Sequence, residues 1–156
     1  MIFQHSKGGR EDRKPPAWHA LPFWLVLMIF ESALWLLLAL KFRQPCAPVA
    51  LAAGLTLGLA VPMAGVRGSA GSAIALMLAV ATSALVLYAQ AAFHASRVLG
   101  LPPLDALTGT GADFALAILD GLLTPLDLWF IGGGLLLAAV FGFGFSAVRR
   151  RAASAP

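Results

Sequence analysis

Residues 22–40, PFWLVLMIFESALWLLLAL, contain one charged side chain, Glu31, among nineteen residues. A stretch of this length and composition is sufficient to cross the hydrocarbon layer of a membrane as a single α-helix. A charged group near the middle of such a helix costs about 2.5–3.5 kcal/mol on insertion scales, so it needs a polar partner, a proton or a water-filled cavity. Glu31 is therefore the leading candidate for a functional residue.

The composition of the whole chain indicates an integral membrane protein. Of its 156 residues, 60% are hydrophobic and 12% are charged, whereas soluble domains are about half apolar and about a quarter charged. The net charge of +4 does not indicate nucleic acid binding, because the basic residues cluster at the ends of apolar segments, where they orient membrane proteins. The excess of Arg over Lys and the abundance of Ala, Leu and Gly are typical of a GC-rich bacterial gene.

Further apolar segments predict an all-α, polytopic membrane protein built as a four-transmembrane-helix bundle. The helices of such a bundle are each about 20 residues long. The predicted spans are residues 22–40, 47–66, 71–96 and 128–148. They belong to one transmembrane domain at residues 19–148, which lies between two basic tails at 1–18 and 149–156.

The distribution of basic residues predicts the orientation of these spans. Eight Lys and Arg residues fall on the side of the N-terminus and three on the opposite side, which places both termini in the cytoplasm by the positive-inside rule. The first apolar run ends in Lys41-Phe42-Arg43-Gln44 rather than in a small-residue cleavage site, so it is predicted to stay as a membrane anchor. The expected location is the bacterial inner membrane.

The connection between the third and fourth spans predicts a short interfacial helix. Thr110 and Asp113 have the spacing of a capping box that opens a helix over residues 111–123. This helix is too short to span a membrane and apolar enough to lie at its surface. Thr124 is predicted to cap the following helix, with Asp127 in its first turn.

Small residues at every fourth position predict how the spans pack. Helices in lipid associate where small side chains allow their backbones to approach closely. The second, third and fourth spans each carry such a stripe, and the predicted packing residues are Ala50, Gly54, Gly58, Ala75, Ala79, Gly134, Ala138 and Gly142.

The depth of Glu31 in the membrane predicts its partners. It lies nine residues into its helix, or about 13.5 Å at 1.5 Å per residue, and Thr56, Thr82 and Ser83 lie at matching depth on neighbouring spans. The predicted intramembrane polar site therefore consists of Glu31, Thr56, Thr82 and Ser83. Its carboxyl group either forms a protonated, hydrogen-bonded structural contact or takes part in proton transfer.

No pattern of catalytic or metal-binding residues occurs in the sequence. HExxH, GxSxG and Walker motifs are missing, and the three histidines are scattered. The single cysteine, Cys46, has no second thiol or nearby histidine with which to form a metal site. We therefore expect no enzyme activity, no cofactor and no metal.

The stretch at residues 111–144, GADFALAILDGLLTPLDLWFIGGGLLLAAVFGFG, resembles the C-terminal part of bacterial Yip1-domain membrane proteins. The matching features are Pro125-Leu126-Asp127-Leu128-Trp129 and the glycine-containing apolar helix that follows, which cover about a fifth of the chain. The resemblance implies a scaffold or trafficking-type membrane protein without catalytic activity, and it transfers no site residues. That family usually has one more span than is predicted here.

Two functions remain open from the sequence. The first is a non-enzymatic scaffold or accessory subunit of a membrane complex, whose partners are the lipid bilayer and other membrane protein subunits or further copies of itself. The alternative is a small proton- or ion-coupled transporter or channel subunit that uses Glu31. Replacement of Glu31 by Gln distinguishes them, because only the alternative requires a group that ionises.

Overall fold

The computed structural model describes residues 17–144, and within this range every regular element is helical. A 3₁₀ turn at Ala17–Ala20 leads into six α-helices. The predicted basic tails lie outside the described residues, apart from positions 17 and 18. The helices are α1 (Leu21–Phe42), α2 (Val49–Met63), α3 (Ser69–Leu99), α4 (Pro103–Gly109), α5 (Ala112–Leu122) and α6 (Pro125–Phe143).

Within residues 17–144, three helices rather than the predicted four are long and apolar enough to cross a membrane. They are α1, α3 and α6, with 22, 31 and 19 residues. The predicted second span at 47–66 is too long, because α2 begins only after Pro48 and ends at Met63. Its 15 residues extend about 22 Å, less than the hydrocarbon thickness of about 30 Å. Beyond it the chain turns back through Gly65 and Gly68, whose φ angles of 92° and 76° favour glycine.

The exterior of the bundle is apolar, as expected for a surface that contacts lipid. Leu37, Met77 and Leu136 are 65%, 71% and 65% exposed, respectively. Inside, Trp24 and Trp35 of α1 are almost fully buried, each in a separate cluster of apolar side chains. The helix α6 packs most closely against α2 and α3, whereas α1 packs mainly on α3.

Glycines bring α6 into backbone contact with its neighbours. Gly134 lies against the backbone of Ala50 on α2, and Gly54 lies against Gly134 in return. Near the C-terminal end of α6, a Cβ atom added to Gly142 would lie 2.6 Å from the Cβ atom of Ala75 on α3. All the residues predicted from the small-residue stripes to pack are buried.

The predicted helix start at Thr124 is confirmed. Its hydroxyl accepts a hydrogen bond from the backbone N–H of Asp127, and the Asp127 carboxylate accepts one from the backbone N–H of Thr124, at 3.3 and 2.9 Å. This reciprocal pair is a capping box, which satisfies donors that have no partner within the helix.

The predicted cap at Thr110 is wrong. The structure contains an additional helix, α4, and Thr110 is the C-cap that follows its last residue: the Thr110 hydroxyl donates to the carbonyl oxygen of Ala106 at 2.5 Å. The next helix, α5, begins within the predicted range of 111–123, but Gly111 is its N-cap and no side chain caps it. One buried residue, Ala115, anchors α5, which packs on α3.

Candidate polar site inside the bundle

Glu31 lies on the buried face of α1. It is 6% exposed and shares this face with Trp24, Ser32, Trp35 and Ala39. These positions follow the helical period, so the carboxyl group points towards the other helices rather than towards lipid. The buried face of α1 thus places an ionisable group between two tryptophans.

Thr56 of α2 contacts Glu31 directly. The Thr56 hydroxyl donates a hydrogen bond to Oε1 of Glu31 at 2.7 Å. The contact joins α1 to α2 across 25 positions of sequence, and it pairs a buried carboxyl group that would otherwise be costly. Of the three hydroxyl residues chosen from sequence by depth, Thr56 is the one that the structure brings to Glu31.

The surroundings of the Thr56 hydroxyl allow the pair to remain bonded in either protonation state. The same hydroxyl lies 3.1 Å from the carbonyl oxygens of both Ala52 and Ala53. A hydroxyl has one hydrogen to donate and can also accept. An ionised Glu31 accepts from Thr56, whereas a protonated Glu31 can donate to Thr56 while Thr56 donates to a carbonyl of its own helix.

Neither Thr82 nor Ser83 forms a hydrogen bond with Glu31 or Thr56. Thr82 is fully buried, but its hydroxyl donates to the carbonyl oxygen of Leu78 at 2.8 Å on its own helix. Ser83 is half-buried and forms no hydrogen bond with Glu31. The site of four residues expected from sequence therefore reduces to the pair Glu31–Thr56. Thr and Ser side chains in helices commonly bond the carbonyl four residues earlier, which explains why matching depth was not sufficient.

Ser32 is a buried polar neighbour that sequence reasoning missed. It is 7% exposed, and its hydroxyl donates to the carbonyl oxygen of Met28 at 2.7 Å. The indole N–H of Trp24 is buried without a hydrogen-bond partner, whereas that of Trp35 donates to the Pro45 carbonyl at 2.9 Å. The hydroxyls of Ser32 and Thr82 both bond to their own helices, so neither extends the Glu31–Thr56 contact.

An apolar groove of about 500 Å³ runs between α1 and α2. Among residues 17–144, Thr56 is the polar residue that lines the groove, and none of the lining side chains is ionisable. The lining residues are Ala20, Phe23, Leu27, Thr56, Leu59, Ala60, Met63 and Ala64. Such a lining suits a lipid chain better than a hydrated ion, because an ion needs polar groups to replace its water.

No cluster of metal-binding side chains occurs in residues 17–144: no three His, Cys, Asp or Glu residues come close enough to hold an ion. Cys46 lies half-buried in the connection between α1 and α2. Burial raises the pKa of the Cys46 thiol, which lowers the fraction of reactive thiolate.

Comparison with known family models, curated proteins and solved structures finds no match to this chain. The class of protein therefore follows from the molecule itself. Three long apolar helices, an apolar exterior and a packed helical interior define an α-helical membrane protein.

Proposed function

We propose that this protein is a non-enzymatic scaffold or accessory subunit of a membrane complex. The observation that carries the proposal is the isolation of Glu31. In the described part of the chain its carboxyl group has one side-chain partner, Thr56. Proton or ion transport needs a series of polar groups or water leading to each membrane face. The described residues that line the apolar groove beside Thr56 provide no such series.

The packing of α6 supports a rigid structural role. Backbone contacts through Gly54, Gly134 and Gly142 leave no room for water between the helices at these positions. Alternating access requires two packing arrangements of comparable stability, whereas close glycine contacts favour one. The resemblance to Yip1-domain proteins at residues 111–144 stays a prediction, and it agrees with a scaffold role.

The transporter alternative rests on the Glu31–Thr56 pair. Because Thr56 has helix carbonyls as substitute acceptors at 3.1 Å, the pair can gain or lose a proton and stay hydrogen-bonded. This property is needed in a proton carrier, and it keeps the alternative worth testing.

We further propose four crossings of the bacterial inner membrane, with both termini in the cytoplasm. In this arrangement α2 forms a short second crossing, which a local thinning of the bilayer can accommodate at modest cost. The eight-to-three distribution of basic residues supports it.

Alkaline phosphatase fusions test this topology. Phosphatase is active only outside the cytoplasm, so fusions after Arg43 and Gly109 are expected to be active, and fusions after Gly68 and Ala152 inactive. If α2 did not cross, fusions after Gly68 and Ala152 would be active and the fusion after Gly109 inactive. The two topologies therefore differ at three of the four positions.

A flux measurement tests the function. We expect liposomes containing the purified protein and a pH-sensitive dye to equilibrate no faster than empty liposomes under a pH gradient and a membrane potential. The Glu31→Gln variant is expected to behave in the same way. Proton flux in the parent protein that is lost in Glu31→Gln would overturn the scaffold proposal in favour of the alternative.

Native mass spectrometry provides the complementary measurement. A scaffold or subunit extracted in mild detergent from its own membrane is expected to appear at a mass above the 16.2 kDa of one chain. Glu31→Gln should preserve that assembly, because the amide keeps a donor and an acceptor at similar size. If the parent protein and the Glu31→Gln variant both appeared only at the mass of a single chain, the proposal would be contradicted.

A further inference from the structure

A second polar site lies at the opposite end of α1 from the N-terminus. A cleft of about 90 Å³ is lined by the end of α1, the following loop, the last turns of α3 and one residue of α5. The polar side chains that line it are those of Arg43, Gln44, Gln90, His94 and Arg97. A buried water needs about 10–15 Å³ by this measure, so the cleft can hold several waters or one tetrahedral oxyanion.

The charge of the cleft is one-sided. Arg43, His94 and Arg97 line it, and no carboxylate of the described residues does. Neither guanidinium forms an ion pair with a carboxylate within 4.0 Å in residues 17–144. Both arginines are exposed, and two permanent positive charges at the rim of one small cavity favour an anion over a cation there.

The polar residues of the cleft form an ordered surface rather than a chance cluster. Gln90, His94 and Arg97 have the spacing i, i+4, i+7, which places them on one face of α3. That face meets Arg43, which ends α1 in the left-handed conformation with φ 55°. Side chains from two separate helices thus converge on one cavity.

The floor of the cleft is fixed by buried hydrogen bonds. Gln90 is 7% exposed and its side-chain amide donates to the Pro45 carbonyl at 3.3 Å. Trp35, which is 1% exposed, donates to the same carbonyl at 2.9 Å. These two donors hold the loop between α1 and α2 in place, and they keep Arg43 near α3 before any ligand binds.

A structural role at helix ends accounts for only part of this arrangement. Arg43 and Arg97 lie at helix C-termini, where positive charge is favoured. Lys41 in the last turn of α1 has the same advantage but does not line the cleft. Helix stabilisation therefore does not explain why both arginines, the histidine and the buried glutamine meet at one cavity.

We propose that this cleft binds a phosphate group. Guanidinium groups match phosphate oxygens with paired hydrogen bonds, and the cleft lies at the ends of two membrane-crossing helices, where lipid headgroups are found. Its apolar side, formed by Leu40, Phe93 and Leu122, suits the glycerol and upper acyl carbons of a phospholipid. The same chemistry would also bind free phosphate. The site is separate from Glu31–Thr56 and does not depend on the scaffold role.

Binding measurements on the purified full-length protein in a neutral, phosphate-free detergent test the proposal. Inorganic phosphate and short-chain phosphatidylglycerol are titrated in separate calorimetric experiments at physiological ionic strength, since salt screens unspecific attraction. The variants are Arg43→Gln and Arg97→Gln, with Lys41→Gln as the matched control that removes one positive charge outside the cleft. Thermal unfolding confirms that each variant is folded.

Each arginine variant is expected to weaken binding by about tenfold or more, because it removes a hydrogen bond to a charged group. Lys41→Gln is expected to change it by less than about twofold, as for a surface charge that only adds to the general field. Arg97→Lys should give an intermediate loss, because it keeps the charge but not the paired geometry.

The two ligands distinguish the source of the phosphate. Binding of phosphatidylglycerol alone assigns the site to a lipid headgroup, and binding of inorganic phosphate assigns it to the free anion. No binding of either ligand would overturn the proposal. An equal loss of affinity in Lys41→Gln and in the arginine variants would also overturn the proposal, because net charge alone would then account for binding.

Discussion

Replacing Gly134 with Ala is expected to destabilise the bundle strongly, whereas the same replacement at Gly132 should leave it intact or slightly more stable. The added methyl group at Gly134 would run into the backbone carbonyl of Ala50 on α2. A backbone carbonyl cannot move aside as a flexible side chain can, so α2 and α6 would have to separate. Overpacking of this kind costs about 1–3 kcal/mol or more.

Gly132 is the matched control because it lies on the same helix two residues earlier. Nothing lies within 4 Å of a Cβ atom added there. Glycine within a helix is about 0.8–1 kcal/mol less favourable than alanine. The Gly132→Ala substitution therefore gains helix stability without a steric clash. Unfolding of both variants in mixed detergent micelles, followed by far-ultraviolet circular dichroism, measures the difference. Equal stabilities of the two variants would show that the close α2–α6 contact does not hold the bundle together.

The start of a helix could be predicted from the sequence where a few neighbouring residues specify it on their own. Thr124, Pro125 and Asp127 specify the start of α6 through a cap, a fixed φ and a favourable charge. The same Pro-Leu-Asp sequence begins α4 at Pro103, but the prediction for this loop contains no helix there. Proline both ends one helix and begins another, and missing the second role led to the wrong cap at Thr110.

The number of membrane-crossing helices could not be decided from hydropathy. The segment at 47–66 is as apolar as a span, yet α2 covers only Val49–Met63. Hydropathy reports which residues avoid water, but it does not report where Pro48 and Gly65 allow a helix to begin and end. The apolar residues left over lie in turns packed against the bundle, where backbone polar groups find local partners.

The candidate polar site was predicted in part. The fixed rise of a helix gives the depth of each residue, and depth pointed to Thr56 as well as to Thr82. Depth does not give the direction in which a side chain points around its helix, and Thr82 bonds to its own backbone. The basic cleft was not foreseen, because Arg43 and Arg97 lie on different helices. The spacing of Gln90, His94 and Arg97 was the one local signal of a shared face.

The second large effect is expected at Thr56. Thr56→Val keeps the shape of the side chain but leaves Glu31, which is 6% exposed, without its hydrogen-bond partner. An unsatisfied buried polar group costs about 1–3 kcal/mol, and more if it is charged. Thr82→Val is the control. Thr82 is more deeply buried than Thr56, which is exposed, but its hydroxyl bonds only to a carbonyl of its own helix, so its loss should cost much less.

Removing both partners should restore most of the lost stability. In the double variant Glu31→Leu/Thr56→Val no buried polar group is left unpaired, and replacing a hydrogen-bonded pair with apolar groups is often nearly neutral. Glu31→Leu alone should be mild, because Thr56 can donate to Ala52 or Ala53 instead. A cycle of the four proteins, measured by the same detergent unfolding, should give a coupling free energy of about 0.6 kcal/mol, the average for hydrogen bonds between membrane helices, and no more than about 1.7 kcal/mol. A coupling near zero, with Thr56→Val no worse than Thr82→Val, would mean that the Glu31–Thr56 contact does not stabilise the bundle. The carboxyl group would then lack a structural reason to lie inside the membrane, and the transporter alternative would become the better explanation of Glu31.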